Sequence, residues 1–437
     1  MTAIQPVRSI DPPAASAKPE SRRIAVLTRG IVGGGVQQMS LNLAAELVDR
    51  GWQVDLVSRK DGPDDRIPTG VRKVVLAKRF ALRGRRLGLR AEPGGVATLL
   101  RPVLGCLISA EPLRYLPVLT DYLQTNRPRA LFSATTYLNL VALWARELSG
   151  SDARVLVSER DSLSANRTTG KNRRAWRWRY APELLARVYP RAEAIVAVSD
   201  GVADDLAQQT GIDRAAVRTV YNPVVHGDLA ARAREPLTAG DLGDLAAWFA
   251  PGAPPVIVSA GRLVAKKQFG ALLEAFARLR AERAVRLLVL GDGPERARLD
   301  RQIAGLGVGG DVRLHGWCDN PYPIFARAAA FALTSNREGF GNVLVEALHC
   351  GCPVVATDCP SGPSEILDGG RFGELVPVGD VIGIAKALAR TLDDPPDTER
   401  LRARGAEFTT QRAADAYLAA VGLPLRPEVE LATVESI

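Results

Sequence analysis

The sequence predicts an α/β protein built from two doubly wound units, each a parallel sheet covered by helices on both faces. Three observations carry this prediction. The chain has 437 residues, more than one core usually organises, since domains run to roughly 100–200 residues. Short apolar runs alternate with helix-periodic segments from Arg22 onward, the pattern of strands buried on both faces. The alternation pauses once, between Val220 and Pro255, in a stretch rich in Pro, Gly and Ala, and then restarts.

Taken in order, "RIAVLTR" reads as a buried strand. "GGGVQQMSLNLAAELVDRG" follows as a glycine loop and a helix, with Gly51 as its stop. "WQVDLVSR", "RALFSAT", "ARVLVSER" and "AEAIVAVSD" are further strands, each followed by a helix or loop. After the pause come "VIVSAGRL", "RLLVLGDG", "VRLHGW", "FALTSN" and "PVVATD", with helices between them. "ADAYLAAVGL" closes the pattern as a short helix. The expected organisation is a flexible tail (1–21), an N-terminal unit (22–222), a connection (223–254) with a small helix near Leu242–Phe249, a C-terminal unit (255–408), and a final helix and tail (409–437). Open α/β sheets bind ligands beyond the carboxyl ends of their strands. Two such units are therefore expected to share a cleft into which those loops project.

Composition narrows the partners. The chain is 46% hydrophobic and 24% charged, with net charge +9 and a sequence pI near 9.5, so an anionic partner is favoured. Cys106, Cys318, Cys350, Cys352 and Cys359 form no CxxC pair, which suits a reduced setting. His349, Cys350, Cys352 and Cys359 lack the paired spacing of structural zinc sites. They read better as a helix end followed by a buried strand. The first twenty residues lack an apolar signal-peptide region. The longest apolar stretch, Val96–Thr120, is broken by three prolines, two arginines and a glutamate and does not predict a membrane span.

Five loops carry chemistry. Gly33, Gly34 and Gly35 join a strand to a helix; glycines let backbone approach a ligand, and a helix N-terminus offers amides to an anion. The loop matches neither GxGxxG nor a P-loop, and a plain tight turn is the alternative. In "SAGRLVAKKQF", Arg262, Lys266 and Lys267 lie between a strand and a helix start, where cations oppose the helix dipole unless an anion binds. A solvated charge cluster is the alternative there. "LGDGPERA" reads equally well as a connector. "SNREGFGNVLVEAL" places Glu338 in a loop and Glu346 about one turn inside the following helix, with Asn342 near its cap. Carboxylates accept hydrogen bonds from sugar hydroxyls, and Gly339 and Gly341 let backbone amides approach phosphate, so these pieces suggest a nucleotide sugar. In "CPSGPSEIL", Glu365 either binds ligand or begins a helix.

As an ordered set, "GGGVQQMSLNLA", "VAVSDGVADDL", "NPV", "AGRLVAKKQF", "LGDGPERARL", "SNREGFGNVLVEAL" and "GCPVVATDCPSGPSEIL" resemble the retaining glycosyltransferases of family 4, from about Arg22 to about Arg390. The resemblance implies a GT-B fold: two Rossmann-like domains facing a cleft. It implies that Arg262 and Lys267 bind the donor diphosphate and stabilise the leaving group, and that Glu338 faces the transferred sugar. Gly339, Phe340 and Gly341 would bring backbone to sugar and phosphate, Asn342 and Val343 would meet the phosphates, and Glu346 the ribose. Gly34 and Gly35 would border the donor phosphates from the other domain. No metal or other cofactor is implied, and the sequence holds no DxD motif. Many relatives carry a histidine after a middle strand of the N-terminal domain, where this chain reads "VSERDS". There Glu159 either takes over a sugar or acceptor contact or salt-bridges Arg160.

The donor expected is a UDP-hexose, with GDP as an alternative, and the acceptor a glycan or lipid-linked sugar of a bacterial surface polysaccharide or lipopolysaccharide. Two basic runs, "KRFALRGRRLGLR" and "KNRRAWRWRY", bear on location. In the second, Arg173, Trp176, Arg177 and Tyr180 share a face at helical spacing, which suits an anionic membrane surface on the cytoplasmic side. A solvated basic helix is the alternative. Competing functions are a transferase for a small soluble acceptor, such as a sucrose- or trehalose-type synthase, and a nucleic-acid binder supported by charge alone; no nucleic-acid partner is expected.

Overall fold

The computed structural model describes residues 21–79, 81–92, 112–168, 176–237 and 243–427. The two doubly wound units are there. The first sheet has seven strands in the order β3-β2-β1-β4-β5-β6-β7, and the second has six in the order β10-β9-β8-β11-β12-β13. Every pairing in both is parallel. The first sheet comprises β1 (Arg23–Thr28), β2 (Gln53–Ser58), β3 (Val71–Val75), β4 (Ala130–Ala134), β5 (Arg154–Glu159), β6 (Ala194–Ala197) and β7 (Val217–Thr219). The second comprises β8 (Val256–Ala260), β9 (Arg286–Leu290), β10 (Val312–Gly316), β11 (Ala330–Leu333), β12 (Val354–Thr357) and β13 (Glu374–Val376).

The central strands are buried along nearly their whole length, as in "ALFSA" of β4 and "VIVSA" of β8, because helices cover both faces. Winding reverses direction between β1 and β4 and between β8 and β11. Each reversal leaves a crevice at the carboxyl ends of two adjacent strands, the usual ligand position in such sheets. The glycine loop of Gly33–Gly35 leaves β1. The cationic loop of Arg262–Lys267 leaves β8, and the Glu338 loop leaves β11.

The chain crosses between the units twice, and the crossings run side by side. Val225 N donates to Phe408 O at 3.0 Å, and Thr410 N donates to Val225 O at 2.9 Å. The last helix, Thr410–Ala420, thus returns to the N-terminal sheet. Its apolar face (Ala414, Tyr417, Leu418) packs with Ile24, Leu43, Leu47 and Phe132, and Tyr417 meets Phe132 edge-on at 5.4 Å. Arg50 adds an ion pair to Asp415 at 2.5 Å. Sequence periodicity finds such a face without saying what covers it.

The connection carries a short helix, Leu229–Ala233, and a 3₁₀ segment, Gly243–Phe249, close to the expected small helix. The basic run after Lys78 forms the helix Ala81–Ala91, anchored by the fully buried Glu92. Glu92 accepts from Trp144 Nε1 at 3.0 Å and pairs with Arg187 at 3.0 Å and Arg191 at 2.5 Å. Of the second basic run, the helix begins at Trp176, and Trp178 is buried against Tyr137 at 5.3 Å. Arg173 and the rest of 169–175 lie outside the described residues, as do Cys106, the expected N-terminal tail except Ser21, and 428–437. So does most of the apolar stretch Val96–Thr120; its end forms the start of the helix Leu116–Asn126. Among the described residues no helix is long and apolar enough to cross a membrane.

Candidate active site

The β8–β11 reversal brings the expected residues of the C-terminal domain together. After β11, Gly341 adopts φ 109° as the cap of the helix Asn342–His349, a left-handed geometry that favours glycine. Asn342 is therefore the first helical residue, and its side chain reaches outward. Leu344, Val345, Ala347 and Leu348 bury the helix's inner face. Phe340 is 3% exposed; it stacks on Tyr221 at 5.3 Å and meets Phe408 edge-on at 5.5 Å. Its ring is an anchor, and what Gly339–Gly341 offer the cleft is backbone.

Three carboxyl groups and three cations set the electrostatics. Lys267 Nζ lies 2.5 Å from Glu338 Oε1, Ser335 Oγ donates to the same oxygen at 2.6 Å, and Lys266 Nζ stands 4.0 Å from Oε2. Burial opposes ionisation of Glu338, but Lys267 and Lys266 outweigh it and hold the carboxyl below its usual range. Arg262 is exposed at the end of β8 and has no carboxylate partner among the described residues. Glu346 is half-buried one turn inside its helix and accepts no side-chain hydrogen bond among the described residues. Burial pushes its carboxyl up to about 7, with Arg232 and Lys267 pulling the other way. The crevice thus holds an exposed arginine and one acceptor, Glu346, without a hydrogen-bond donor among the described residues.

The N-terminal domain closes the other side. Gly34 caps the helix Gly35–Asp49. A Cβ on Gly35 would lie 3.2 Å from Asn342 Nδ2, and Asn222 Nδ2 donates to Asn342 Oδ1 at 2.6 Å. Gly339 packs so closely on the Arg160 carbonyl that a side chain there would collide with it. Asp161 is half-buried beside this contact. Burial raises its carboxyl, Lys266 and Arg337 lower it, and Glu338 raises it again.

Glu159 departs from both alternatives drawn from the sequence. It is 3% exposed and both its oxygens are engaged inside its own domain. Thr136 Oγ1 donates at 2.9 Å and Asn139 Nδ2 at 3.3 Å, and Tyr189 donates its hydroxyl. Arg160 turns instead to Asn222 Oδ1 at 2.7 Å and to the Tyr417 hydroxyl. The residue of "VSERDS" that faces the cationic cluster is Asp161, two positions beyond Glu159. Asn222 of "NPV" and Ser199 of "VAVSD", which donates to Gly339 O at 2.7 Å, were also not singled out by sequence. Their signal was their place at the carboxyl ends of strands.

Cys350, Cys352 and Cys359 are buried thiols around the end of the helix Asn342–His349 and β12. Among the described residues, no group of three or more His, Cys, Asp or Glu could hold a metal ion.

Comparison with known proteins gives this geometry a family. Residues 34–223 match the model of the glycosyl transferase 4-like domain, and residues 244–408 match that of glycosyl transferases group 1. The chain is 39% identical over 173 residues to the lipopolysaccharide core biosynthesis glycosyltransferase LpsE of Rhizobium meliloti, covering 38% of this chain and 50% of that protein. The chain therefore spans only half the length of this relative. It is 31% identical over 288 residues to a Campylobacter jejuni N-acetylgalactosaminyltransferase named for a diphospho-undecaprenol acceptor, covering 64% of this chain and 69% of that protein. The crystal structure of Anabaena HepE, solved with UDP and glucose, superposes with a TM-score of 0.69 at 19% identity, covering 92% of this chain and 99% of that one. The apo lipopolysaccharide outer core galactosyltransferase WaaB superposes at 0.64, also at 19% identity, over 92% of this chain and 99% of that one. The fold is GT-B, and the chain belongs to the group 1 glycosyltransferases.

Proposed function

We propose that the protein is a retaining, metal-independent hexosyltransferase. Its donor is a UDP-sugar, and its acceptor is a glycan or lipid-linked sugar of a surface polysaccharide or lipopolysaccharide. The observation that carries this reading is the convergence of Lys267, Glu338 and Glu346 at the β8–β11 crevice, with Arg262 exposed in the loop that leaves β8 and Glu346 without a hydrogen-bond donor among the described residues.

In this reading Arg262 and Lys267 neutralise the departing diphosphate. Asn342 and Val343 supply amides that a helix leaves without partners in its first turn. Glu338 accepts from the transferred sugar, whose backbone neighbours are Gly339, Phe340 and Gly341. Glu346 accepts from the ribose diol, and Gly34 and Gly35 border the phosphates from the opposite domain. The bond from the anomeric carbon to the β-phosphate oxygen breaks and the acceptor oxygen bonds to that carbon on the same face. The acceptor proton passes to the leaving phosphate, so configuration is retained. The protein's part is to position, to hold charge and to exclude water. Relatives named for lipopolysaccharide core synthesis and for a diphospho-undecaprenol acceptor, and a fold neighbour solved with UDP and glucose, support the acceptor and donor classes.

The test is thermal unfolding with UDP, GDP and ADP, with and without EDTA. A ligand that binds only the folded state raises the midpoint. UDP alone is expected to raise it, EDTA to leave the rise unchanged, and Glu346→Ala to diminish it; no response to any nucleotide would sink the reading.

The location proposed is the cytoplasmic face of the membrane. The helix Ala81–Ala91 supports it: Gly84 and Gly88 face the domain while Arg83, Arg86 and Arg90 are exposed beside Leu82, which is 70% exposed. The protein should pellet with vesicles containing anionic lipid and stay in solution with neutral ones, and equal behaviour with both would remove this part.

A further inference from the structure

The seam between the domains contains a contact that the functional reading above leaves unused. Glu365 sits in the short helix Pro363–Ile366 after β12, yet its carboxylate leaves its own domain. Oε2 accepts from Asp200 N at 2.7 Å and Oε1 from Gly201 N at 3.0 Å. These amides open the helix Asp200–Thr210 of the N-terminal domain, where donors lack intrahelical partners and the dipole favours an anion. Two charge-assisted bonds make this a strong tie. Arg404 fixes the same segment from behind, donating to Glu365 O at 2.7 Å and Ile366 O at 2.8 Å.

Beside the tie, two serines hold consecutive carbonyls of the Glu338 loop. Ser361 Oγ donates to Glu338 O at 2.7 Å from within the C-terminal domain. Ser199 Oγ, fully buried, donates to Gly339 O at 2.7 Å from the opposite domain. Ser199 also caps the helix whose first amides hold Glu365. The fit is tight: a Cβ on Gly201 would lie 2.5 Å from the Pro360 carbonyl oxygen, well inside contact distance.

We propose that Glu365, Ser199 and Gly201 form an interdomain latch, and that closing it positions Glu338 for turnover. The proposal rests on the reading of Glu338 as the sugar-facing carboxylate. With the seam shut, Gly339 O is held by Ser199 and Glu338 is presented beside Lys267. With the seam open, Gly339 O loses that donor and Glu338 is held by its own domain alone. Glu365 and Ser199 are positioning residues; neither needs to touch substrate. The charged nucleotide contacts, Arg262, Lys267 and Glu346, all lie in the C-terminal domain, and Gly34 and Gly35 only border the phosphates from the other, so nucleotide binding is expected to fall much less than turnover.

The experiment compares wild type, Glu365→Ala, Gly201→Leu and Ser199→Ala in the full chain. Small-angle X-ray scattering reads the seam, calorimetry with UDP reads the nucleotide site, and hydrolytic release of UDP from UDP-glucose, UDP-galactose and their N-acetyl forms, with water as the acceptor of the sugar, reads turnover. Glu365→Ala and Gly201→Leu should raise the radius of gyration above the wild-type value. They should lower kcat by about 100-fold, the scale of a misplacement near 1 Å, while the UDP Kd stays within about threefold. Ser199→Ala should keep the wild-type radius and still lose about tenfold in kcat. Unchanged radii in both seam variants would overturn the latch, and open seams with wild-type kcat would overturn its positioning of Glu338. A wild type that neither binds UDP nor releases it would overturn the functional reading and the turnover half of this proposal, leaving the radii to judge the latch by itself.

Discussion

Glu159 in the N-terminal domain and Glu346 in the C-terminal domain are both pushed up to about 7, and burial is the first cause in each. Their surroundings differ completely. Glu159 has three donors, Thr136, Asn139 and Tyr189, all from its own domain. Glu346 has none among the described residues, only the more distant pull of Arg232 and Lys267. A raised pKa in a cleft protein therefore does not by itself mark a ligand site. The distinguishing feature is whether the acceptor is already satisfied. A satisfied buried carboxyl supports the fold, whereas an unsatisfied one at a strand-end crevice keeps its acceptor capacity unused.

The largest effects should come from truncating each carboxyl, and they should be opposite in kind. Glu159→Ala strands the buried hydroxyls of Thr136 and Tyr189, while Asn139 keeps its bond to Ser158 O, and it is expected to cost on the order of 3 kcal/mol of stability in urea unfolding. Its UDP Kd should remain within about twofold of wild type, because the nucleotide site is untouched. Glu346→Ala strands nothing and should change stability by less than about 0.5 kcal/mol, while UDP affinity falls at least roughly tenfold through the lost charged acceptor. The pH dependence sharpens the contrast. Burial pushes the Glu346 carboxyl up to about 7, and an ionised carboxylate is the stronger acceptor. UDP binding should tighten from pH 6 to pH 8 by more in wild type than in Glu346→Gln, which retains only the titration of UDP itself. Equal slopes in the two proteins would erase the distinction between the residues.

Much of the fold was open to reading because its central strands are apolar runs buried on both faces. The strands left unread were β3 ("VRKVV"), β7 ("VRT") and β13 ("ELV"), all at sheet edges. Edge strands are short or carry charge, so they lack the buried pattern that identifies a strand. Within the candidate site, the positions of Arg262, Lys267, Glu338 and Glu346 in the fold were legible because strand ends and glycine hinges gave each a place. Glu159 was not, because the sequence does not say which way the last side chain of β5 turns. A one-residue change of phase moves a side chain to the other face of a sheet. The tie between Glu365 and the helix at Asp200 was equally hidden, since it joins residues 165 positions apart.

The smallest effect proposed tests the satisfied carboxyl from its donor side. Tyr189→Phe keeps the buried ring but removes the hydroxyl that donates to Glu159. Because Glu159 titrates near 7 in the fold and at about 4.5 ordinarily, the folded protein holds the extra proton between those values. Its contribution to stability therefore falls as pH rises from about 4.5 to about 7 and is level above that. The Tyr189 hydroxyl favours the charged form, so its loss raises the Glu159 pKa further and extends the fall beyond pH 7. The variant should be less stable than wild type by about 1 kcal/mol at pH 5 and by about 2 kcal/mol at pH 8, since a hydrogen bond to a charged group is worth more than one to a neutral group. Urea unfolding at the two pH values measures the difference directly. A deficit that is the same at both would mean that Glu159 is not ionising against Tyr189, and that its likeness to Glu346 ends at burial.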